Sequence, residues 1–426
     1  MIDYSLILKN QTIAVAVSGG MDSMCLLHIL LSCREKYNLT IKAINIDHSI
    51  RGKDSENDSL FVKDYCEKNG VELKFFKVDA VNFSKENKYT LEQGARILRY
   101  KIFNDLLTEN YADKIATAHH LNDNFESVLL NIFRGSGLKG LAGINPCDNN
   151  FIRPLLNVSK QQIKEYIEKN NIPFVEDSTN SENDYSRNYI RNVISPLIEE
   201  KFPSSPLAIK RLSDIAREEN EFLENLAKSY VNTIKNGYYI SIDTPPALFK
   251  RAIIIALNLC GLEKDYEKTH IEDIYKLLSL ENGSKITLPK NIIAVKEYDK
   301  ISFYQRKNSE KIKELPFAVK SYKFKDFTLD FKKDETLNSL RFDKDKIPDN
   351  TVIRNRKNGD IFTKFGGGTK KLKDYLIDKK IPLVYRDELI VLASGNEILM
   401  IVGVEISDKI KVDKNTKNPL YAVVDN

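Results

Sequence analysis

The sequence predicts an α/β protein: a parallel sheet flanked by helices in its first half, then a helical middle domain, then a small β-rich C-terminal domain. Three observations predict it. Strand-like and helix-like periodicities alternate from Thr12 to Arg134. Charged, long-period segments follow, and from Lys311 onward the pattern shortens to alternating strands. Over 426 residues, 42% hydrophobic and 29% charged side chains supply enough apolar surface for several cores.

Thr12–Val17 reads as a short apolar strand, Met24–Lys36 as a helix, Thr40–Ile46 as a strand and Asp54–Asn69 as a helix. Val71–Val78 is a third strand. Thr90–Glu109 is a long helix opened by a capping box, Thr90 with Gln93, and buried along Leu91, Ala95, Leu98, Ile102 and Leu106. Asp113–Ala118 is a fourth strand and Leu121–Arg134 a helix with the apolar stripe Leu121, Phe125, Val128, Leu129, Ile132. Such alternation implies βαβ units, whose ligands bind beyond the carboxyl ends of the strands. Ser159–Asn170 and Tyr185–Glu200 read as helices, and Pro196, Pro203 and Pro206 then punctuate the chain. Leu207–Lys235 is a charged amphipathic helix bridging to the middle region. Phe324–Phe331, Leu389–Ala393 and Ile398–Val404 are short strands of the last domain. The expected domains are 1–205, 206–310 and 311–426.

Several classes are excluded at this stage. The most apolar stretch, Ile253–Leu262, is interrupted by Asn258 and falls short of the roughly 18 residues that span a bilayer. Met1-Ile2-Asp3-Tyr4 is no secretory leader, so the expected location is cytoplasmic. Cys25, Cys33, Cys66, Cys147 and Cys260 are scattered without a C-x-x-C pair, which disfavours disulfides, zinc ribbons and thiol relays.

The sharpest feature is Ser18-Gly19-Gly20-Met21-Asp22-Ser23, set between an apolar strand and an apolar-periodic helix. The glycines admit close backbone approach, the serines add hydroxyls, and the helix N-terminus directs N–H groups at an anion. Walker and dinucleotide patterns are both missing. Asp22 within an anion cradle calls for a cation, and Mg2+ bridging Asp22 to phosphate oxygens reconciles the two.

Downstream, Asp47-His48-Ser49-Ile50-Arg51-Gly52 follows the second strand, where His48 and Arg51 either contact nucleotide or belong to an ordinary polar loop. Arg96 and Arg99, spaced i,i+3 on the long helix, suit a triphosphate or surface salt bridges. His119-His120-Leu121-Asn122-Asp123-Asn124-Phe125-Glu126 opens the next helix. Asp123 and Glu126 share a side opposite the apolar stripe, where two carboxylates either hold a cationic amine or favour the helix N-terminus. The adjacent histidines lack a third ligand at metal spacing. Arg134–Gly143 is a glycine-rich basic loop, and Val175–Asn180 and Ser186–Arg191 carry further polar motifs. The net charge is +5, yet between Arg354 and Lys380 nine basic residues face three acidic ones, either a footprint for a polyanion or a solvated face.

Ser18–Ser23 after a first strand resembles the pyrophosphatase (PP) loop of the N-type ATP pyrophosphatases, a superfamily with a Rossmann-like parallel sheet whose members transfer AMP to an oxygen and release pyrophosphate. The ordered set of motifs, with Arg354–Asp360, Gly366–Leu376 and Lys379–Pro382, is similar to the tRNA(Ile)-lysidine synthetase family. That resemblance implies a ligase acting on isoleucine tRNA with anticodon CAU. The C2 oxygen of the wobble cytidine is adenylated by ATP, and the ε-amine of free L-lysine then displaces AMP to give lysidine, which reads AUA instead of AUG. It further implies ATP contacts at Ser18, Gly19, Gly20, Asp22, Ser23 and His48, with Mg2+ on Asp22. Catalysis falls to Asp22, Arg96, Asp123 and Glu126, and the lysine is held by Asp123 and Glu126. The tRNA is gripped by Arg187, Arg191, Arg354, Arg356, Lys370, Lys371 and Lys373. Domain 1–205 is then catalytic, 206–310 binds substrate or tRNA, and 311–426 binds tRNA; a homodimer is left open and no membrane is involved.

The sequence departs from the family at Asn122, which stands for an Asp, and mildly at Asn124 and Ser127. The competing readings are another PP-loop tRNA base modifier, such as a 2-thiolase, which calls for cysteine pairs absent here, and a non-catalytic nucleotide- or tRNA-binding protein.

Overall fold

A computed structural model describes residues 2–425 except 50–52, 177–185, 235, 264–265, 306–311, 326 and 337–338. Arg51, the Asp177–Asn180 segment and the expected boundary at Lys311 therefore lie outside the described residues. The chain forms two compact units, Met1–Leu223 and Glu224–Asn426. Among the described residues no helix is long and apolar enough to cross a membrane.

The first unit begins with β1 (Thr12–Ala16), α1 (Met21–Tyr37), β2 (Thr40–Asp47), α2 (Lys53–Lys68), β3 (Glu72–Lys77), α3 (Ala80–Asn87), α4 (Leu91–Thr108), β4 (Lys114–Ala116) and α5 (Leu121–Phe133). It continues with α6 (Leu138–Leu141), β5 (Cys147–Asp148), β6 (Phe151–Ile152), α7 (Lys160–Lys169), α8 (Ser186–Tyr189), a π-helical turn (Ile190–Ile194), α9 (Ser195–Lys201) and α10 (Ser205–Lys228), whose residues from Glu224 onward belong to the second unit. The strand order is β3-β2-β1-β4-β6-β5, parallel except for β5. Register runs Thr12↔Thr40 on one side of β1 and Val15↔Ala116 on the other.

Alternation along β1 distributes its side chains to two cores. Ile13 and Val15 join Leu26, Leu30 and Ile163 on the face covered by α1 and α7, while Ala14 meets Ile44, Phe103 and Leu106 under α4. The capping box of α4 is present: Gln93 N–H donates to Thr90 Oγ1 at 3.2 Å and Thr90 N–H to Gln93 Oε1 at 3.1 Å. Its most buried side chain is Phe103, one position beyond the expected Ile102. Strand order reverses between β1 and β4, the switch point at whose carboxyl edge a ligand crevice is expected in sheets of this kind.

A second apolar cluster fixes the side of that crevice. Phe125 and Leu129 of α5 pack with Ile190, Ile194, Ile198 and Ile209, which ties the π turn, α9 and α10 to α5. Asn124 stitches the same region, accepting from Ile144 N–H at 2.8 Å and donating to Ser213 Oγ at 3.2 Å. Gly143 is required beside it: its φ is +62°, and a Cβ there would come within 2.2 Å of Asn124 Oδ1.

In the second unit the helices Pro246–Leu259 and Lys268–Lys276 pack on a five-stranded sheet through Phe249, Ile253, Leu257, Ile274 and Phe303. The helix expected over Leu207–Lys235 stops at Lys228, because Val231–Ile234 pairs antiparallel with Gly237–Ser241. Asn236 adopts a left-handed φ of +59°, and Asn-Gly is a strong hairpin-turn signal that overrides the helical charge pattern. From Leu315 onward the unit is β-rich, with a seven-stranded and a four-stranded sheet.

Candidate nucleotide and amine site

The loop after β1 is held open by its own hydrogen bonds. Ser18 N–H donates to Ser23 Oγ at 3.2 Å, and Ser23 Oγ–H donates to Gly20 O at 2.9 Å. Gly19 has φ +90°, a conformation that L side chains rarely adopt, and a Cβ there would meet Val62 and Phe61 of α2. Gly20 is the N-cap of α1 and supplies no side-chain cap, so the first N–H groups of the helix keep no side-chain partner there. Val175 N–H reaches back to Gly19 O at 3.0 Å and closes one wall.

Asp22 stands in the first turn of α1. Its Oδ1 is buried without a hydrogen-bond partner, and its Oδ2 lies 3.6 Å from His120 Nε2. An orphaned carboxylate oxygen in an anion cradle fits a cation such as Mg2+, which commonly takes one or two carboxylates and completes its shell with phosphates and water. Among the described residues no cluster of three or more His, Cys, Asp or Glu could hold a metal.

His120 is the N-cap of α5, buried, with Nε2 3.4 Å from Asp123 Oδ2. Asp123 Oδ2 also accepts from His120 N–H at 3.0 Å. Burial opposes protonation of His120, but Asp22 and Asp123, with Glu126 beyond, outweigh it and raise its pKa. Burial likewise opposes ionisation of Asp123, yet His120, His119 and Arg187 hold its carboxyl below the usual range. His119 goes the other way: burial keeps it neutral, hydrogen-bonded to Thr117 Oγ1 at 2.9 Å.

Glu126 is 3% exposed and Asp123 9%, although both lie off the apolar stripe of α5. The cause is a pair of arginines. Arg191 donates from Nε and Nη2 to Glu126 at 2.8 Å each and from Nη2 to Asp123 Oδ1 at 2.9 Å. Arg187, one helical turn earlier, lies 3.5 Å from Glu126 and 3.6 Å from Asp123. Expected on a tRNA surface, both instead turn inward onto the acids, with side chains only 26% and 31% exposed for Arg187 and Arg191. His120 as the link between Asp22 and Asp123 was not singled out from the sequence; its place three residues before Asp123 was the available signal.

On the other side of the loop, burial and the adjacent Arg99 pull His48 down to about 4. Arg99 can only donate, so the neutral His48 accepts at Nε2, 3.3 Å away, and its Nδ1 is buried without a partner. Arg96 is exposed, with its guanidinium 4.8 Å from the Tyr100 ring centroid. Asn122 is spent elsewhere: its Oδ1 accepts from Lys160 N–H at 3.1 Å, at the start of α7.

In the second unit, Arg354 is 3% exposed and forks onto Asp360 at 3.0 and 2.8 Å. It is a core ion pair, which removes it from the expected tRNA-gripping set. Arg356 bonds Arg386 O at 2.7 Å and pairs with Asp387, and Lys370 pairs with Asp378. Lys371 and Lys373 are exposed.

A PP-loop domain family model matches residues 3–198, and a TilS substrate C-terminal domain model matches residues 351–421. A tRNA(Ile)-lysidine synthase of Clostridium tetani is 38% identical over 98% of this chain and 95% of its own length. Similar proteins of the same description from Caldanaerobacter subterraneus subsp. tengcongensis and Clostridium acetobutylicum are 36% and 34% identical over 98% of this chain, and over 94% and 96% of theirs.

Proposed function

The chain belongs to the tRNA(Ile)-lysidine synthase family, and we propose that it performs that family's two half-reactions in the crevice beyond β1 and β4. The overall reaction joins L-lysine to C2 of the wobble cytidine of CAU-anticodon isoleucine tRNA and converts ATP to AMP and pyrophosphate. The single observation that carries this reading is the continuous run from Asp22 to His120 at 3.6 Å and from His120 to Asp123 at 3.4 Å. It joins a phosphate cradle to a buried carboxylate pair within one site.

In the first half-reaction the C2 carbonyl oxygen attacks the α-phosphorus and pyrophosphate leaves. A carbonyl oxygen is a weak nucleophile, so the site's contribution is positioning and charge neutralisation. Ser18, Gly19, Gly20 and Ser23 cradle the phosphates, Arg96 meets them from α4, and the unpaired Nδ1–H of His48 offers a further donor. Asp22 would hold Mg2+ through its free oxygen. When bound, the ion offsets the negative charge of the triphosphate.

In the second half-reaction the lysine ε-amine attacks C2 and AMP leaves. An amine with an unperturbed pKa of about 10.4 must shed a proton to attack. Asp123 and Glu126 hold the ammonium and take that proton as the C–N bond forms. An anticodon loop is single-stranded, so its cytidine enters a pocket at modest unstacking cost. The exposed Lys371 and Lys373 are the strongest remaining tRNA contacts in the C-terminal region.

Labelled L-lysine, ATP and Mg2+ with unmodified isoleucine tRNA carrying CAU test the reading, beside a CAU methionine tRNA. Label in the isoleucine tRNA alone is expected. ATP cleavage without label would retain the adenylating site and reassign the nucleophile.

A further inference from the structure

The carboxylate pair on α5 has no unmatched negative charge to offer an incoming ammonium. Asp123 and Glu126 already face Arg191, Arg187 and His120. The fork of Arg191 takes both oxygens of Glu126 and one of Asp123, all at 2.8–2.9 Å. A lysine ammonium entering this arrangement would add a further cation where two guanidiniums already match the two carboxylates. One cation must leave before the amine binds.

Arg191 is the one built to do so. It stands on the π turn Ile190–Ile194, an irregularity that recurs at functional sites. Ile190 beside it is 3% exposed and anchored on Phe125 and Leu129, while the Arg191 side chain keeps 31% exposure toward solvent. Burial works against the charge of Arg191, but Glu126, Asp123 and Asp22 outweigh it. Geometry ties the guanidinium to the phosphate loop: Arg191 Nη2 donates to Asp123 Oδ1 at 2.9 Å, Asp123 Oδ2 lies 3.4 Å from His120 Nε2, and that nitrogen lies 3.6 Å from Asp22 Oδ2.

We propose that Arg191 is a latch on the amine site: in the substrate-free enzyme it fills the Asp123–Glu126 pair, and a nucleotide phosphate on the Ser18–Ser23 loop draws it off and opens the pair to lysine. This rests on the reading of Asp123 and Glu126 as the amine-binding acids. The exchange replaces one guanidinium–carboxylate fork by a guanidinium–phosphate fork, so the charge balance is kept. It also orders the reaction, since lysine gains its site only when a phosphate is in place.

The test is calorimetric titration of L-lysine into the full-length protein, with and without α,β-methylene-ATP and Mg2+. A latch closed about nine-tenths of the time raises the apparent Kd about tenfold. Wild type is therefore expected to bind lysine about tenfold more tightly with the nucleotide than without it. Arg191→Ala is expected to bind lysine tightly without nucleotide and to lose the nucleotide's effect. A wild-type affinity indifferent to nucleotide overturns the latch and needs no variant. So does weaker binding by Arg191→Ala, which would make Arg191 a permanent wall of the lysine site. The variant Arg191→Ala with Glu126→Gln separates the two readings: it should lose lysine, and retained tight binding would remove the amine-site assignment itself.

Discussion

His120 Nε2 and Asp22 Oδ2 meet across the crevice at 3.6 Å, one from the loop after β4 and the other from the helix after β1. The pair is a pH-dependent tie. Because the folded pKa of His120 is raised, its ionic contribution is fully present below the unfolded value of about 6.5 and fades as pH rises through the folded value. His120→Gln should therefore cost more stability at pH 6 than at pH 9. Urea unfolding of wild type and variant at the two values checks this. A pH-independent difference would mean that the imidazole packs without carrying charge. Asp123 does not confuse the comparison, since its pKa is lowered and its contribution is lost only at acid pH.

Asp22→Asn keeps the size of the side chain and removes the charge from the orphaned Oδ1. Pyrophosphate release should fall at least about 100-fold if that oxygen holds the cation that neutralises the phosphates. Affinity for tRNA should stay unchanged. The two are read separately, by pyrophosphate assay and by filter binding. Adenylation at the wild-type rate would remove the metal-binding role.

Arg96 is exposed, and its guanidinium lies 4.8 Å from the centroid of the Tyr100 ring. Arg96→Ala should leave unfolding free energy within about 0.5 kcal/mol of wild type. Its effect should appear in adenylation, as a fall in kcat/KM for ATP. A stability loss with unchanged kinetics would assign Arg96 to the fold instead.

The phosphate loop was legible because everything it needs is consecutive: an apolar strand, two glycines, an acid and a helix start. The capping box of α4 was legible for the same reason, with Thr90 and Gln93 three residues apart. The charge state of the acid pair was not. Glu126 and Arg191 are 65 residues apart in sequence, and the packing of Ile190 and Ile194 with Phe125 and Leu129 brings them together. A helical wheel places Asp123 and Glu126 off the apolar stripe, but it cannot foresee that a second helix covers that side. At Asn236-Gly237 the signal was present and a charge pattern that continued past Lys228 obscured it.

The C-terminal cations divide by burial, and substitution should expose the division. Arg354 and Asp360 are 3% and 2% exposed in their side chains, so Arg354→Ala strands a buried carboxylate. Loss of one partner of such a pair costs about 3–5 kcal/mol, and thermal unfolding of the second unit should fall accordingly. Lys371 and Lys373 are exposed, and Ala there should leave unfolding within about 0.5 kcal/mol of wild type. If they contact phosphates, each substitution should weaken tRNA binding and reduce the slope of log affinity against log salt by about 0.7–0.9. Salt titrations of the two lysine variants decide the point. An unchanged slope in both would move the RNA contact off this face, while a reduced slope with intact stability would give these lysines the electrostatic role that a buried Arg354 cannot play.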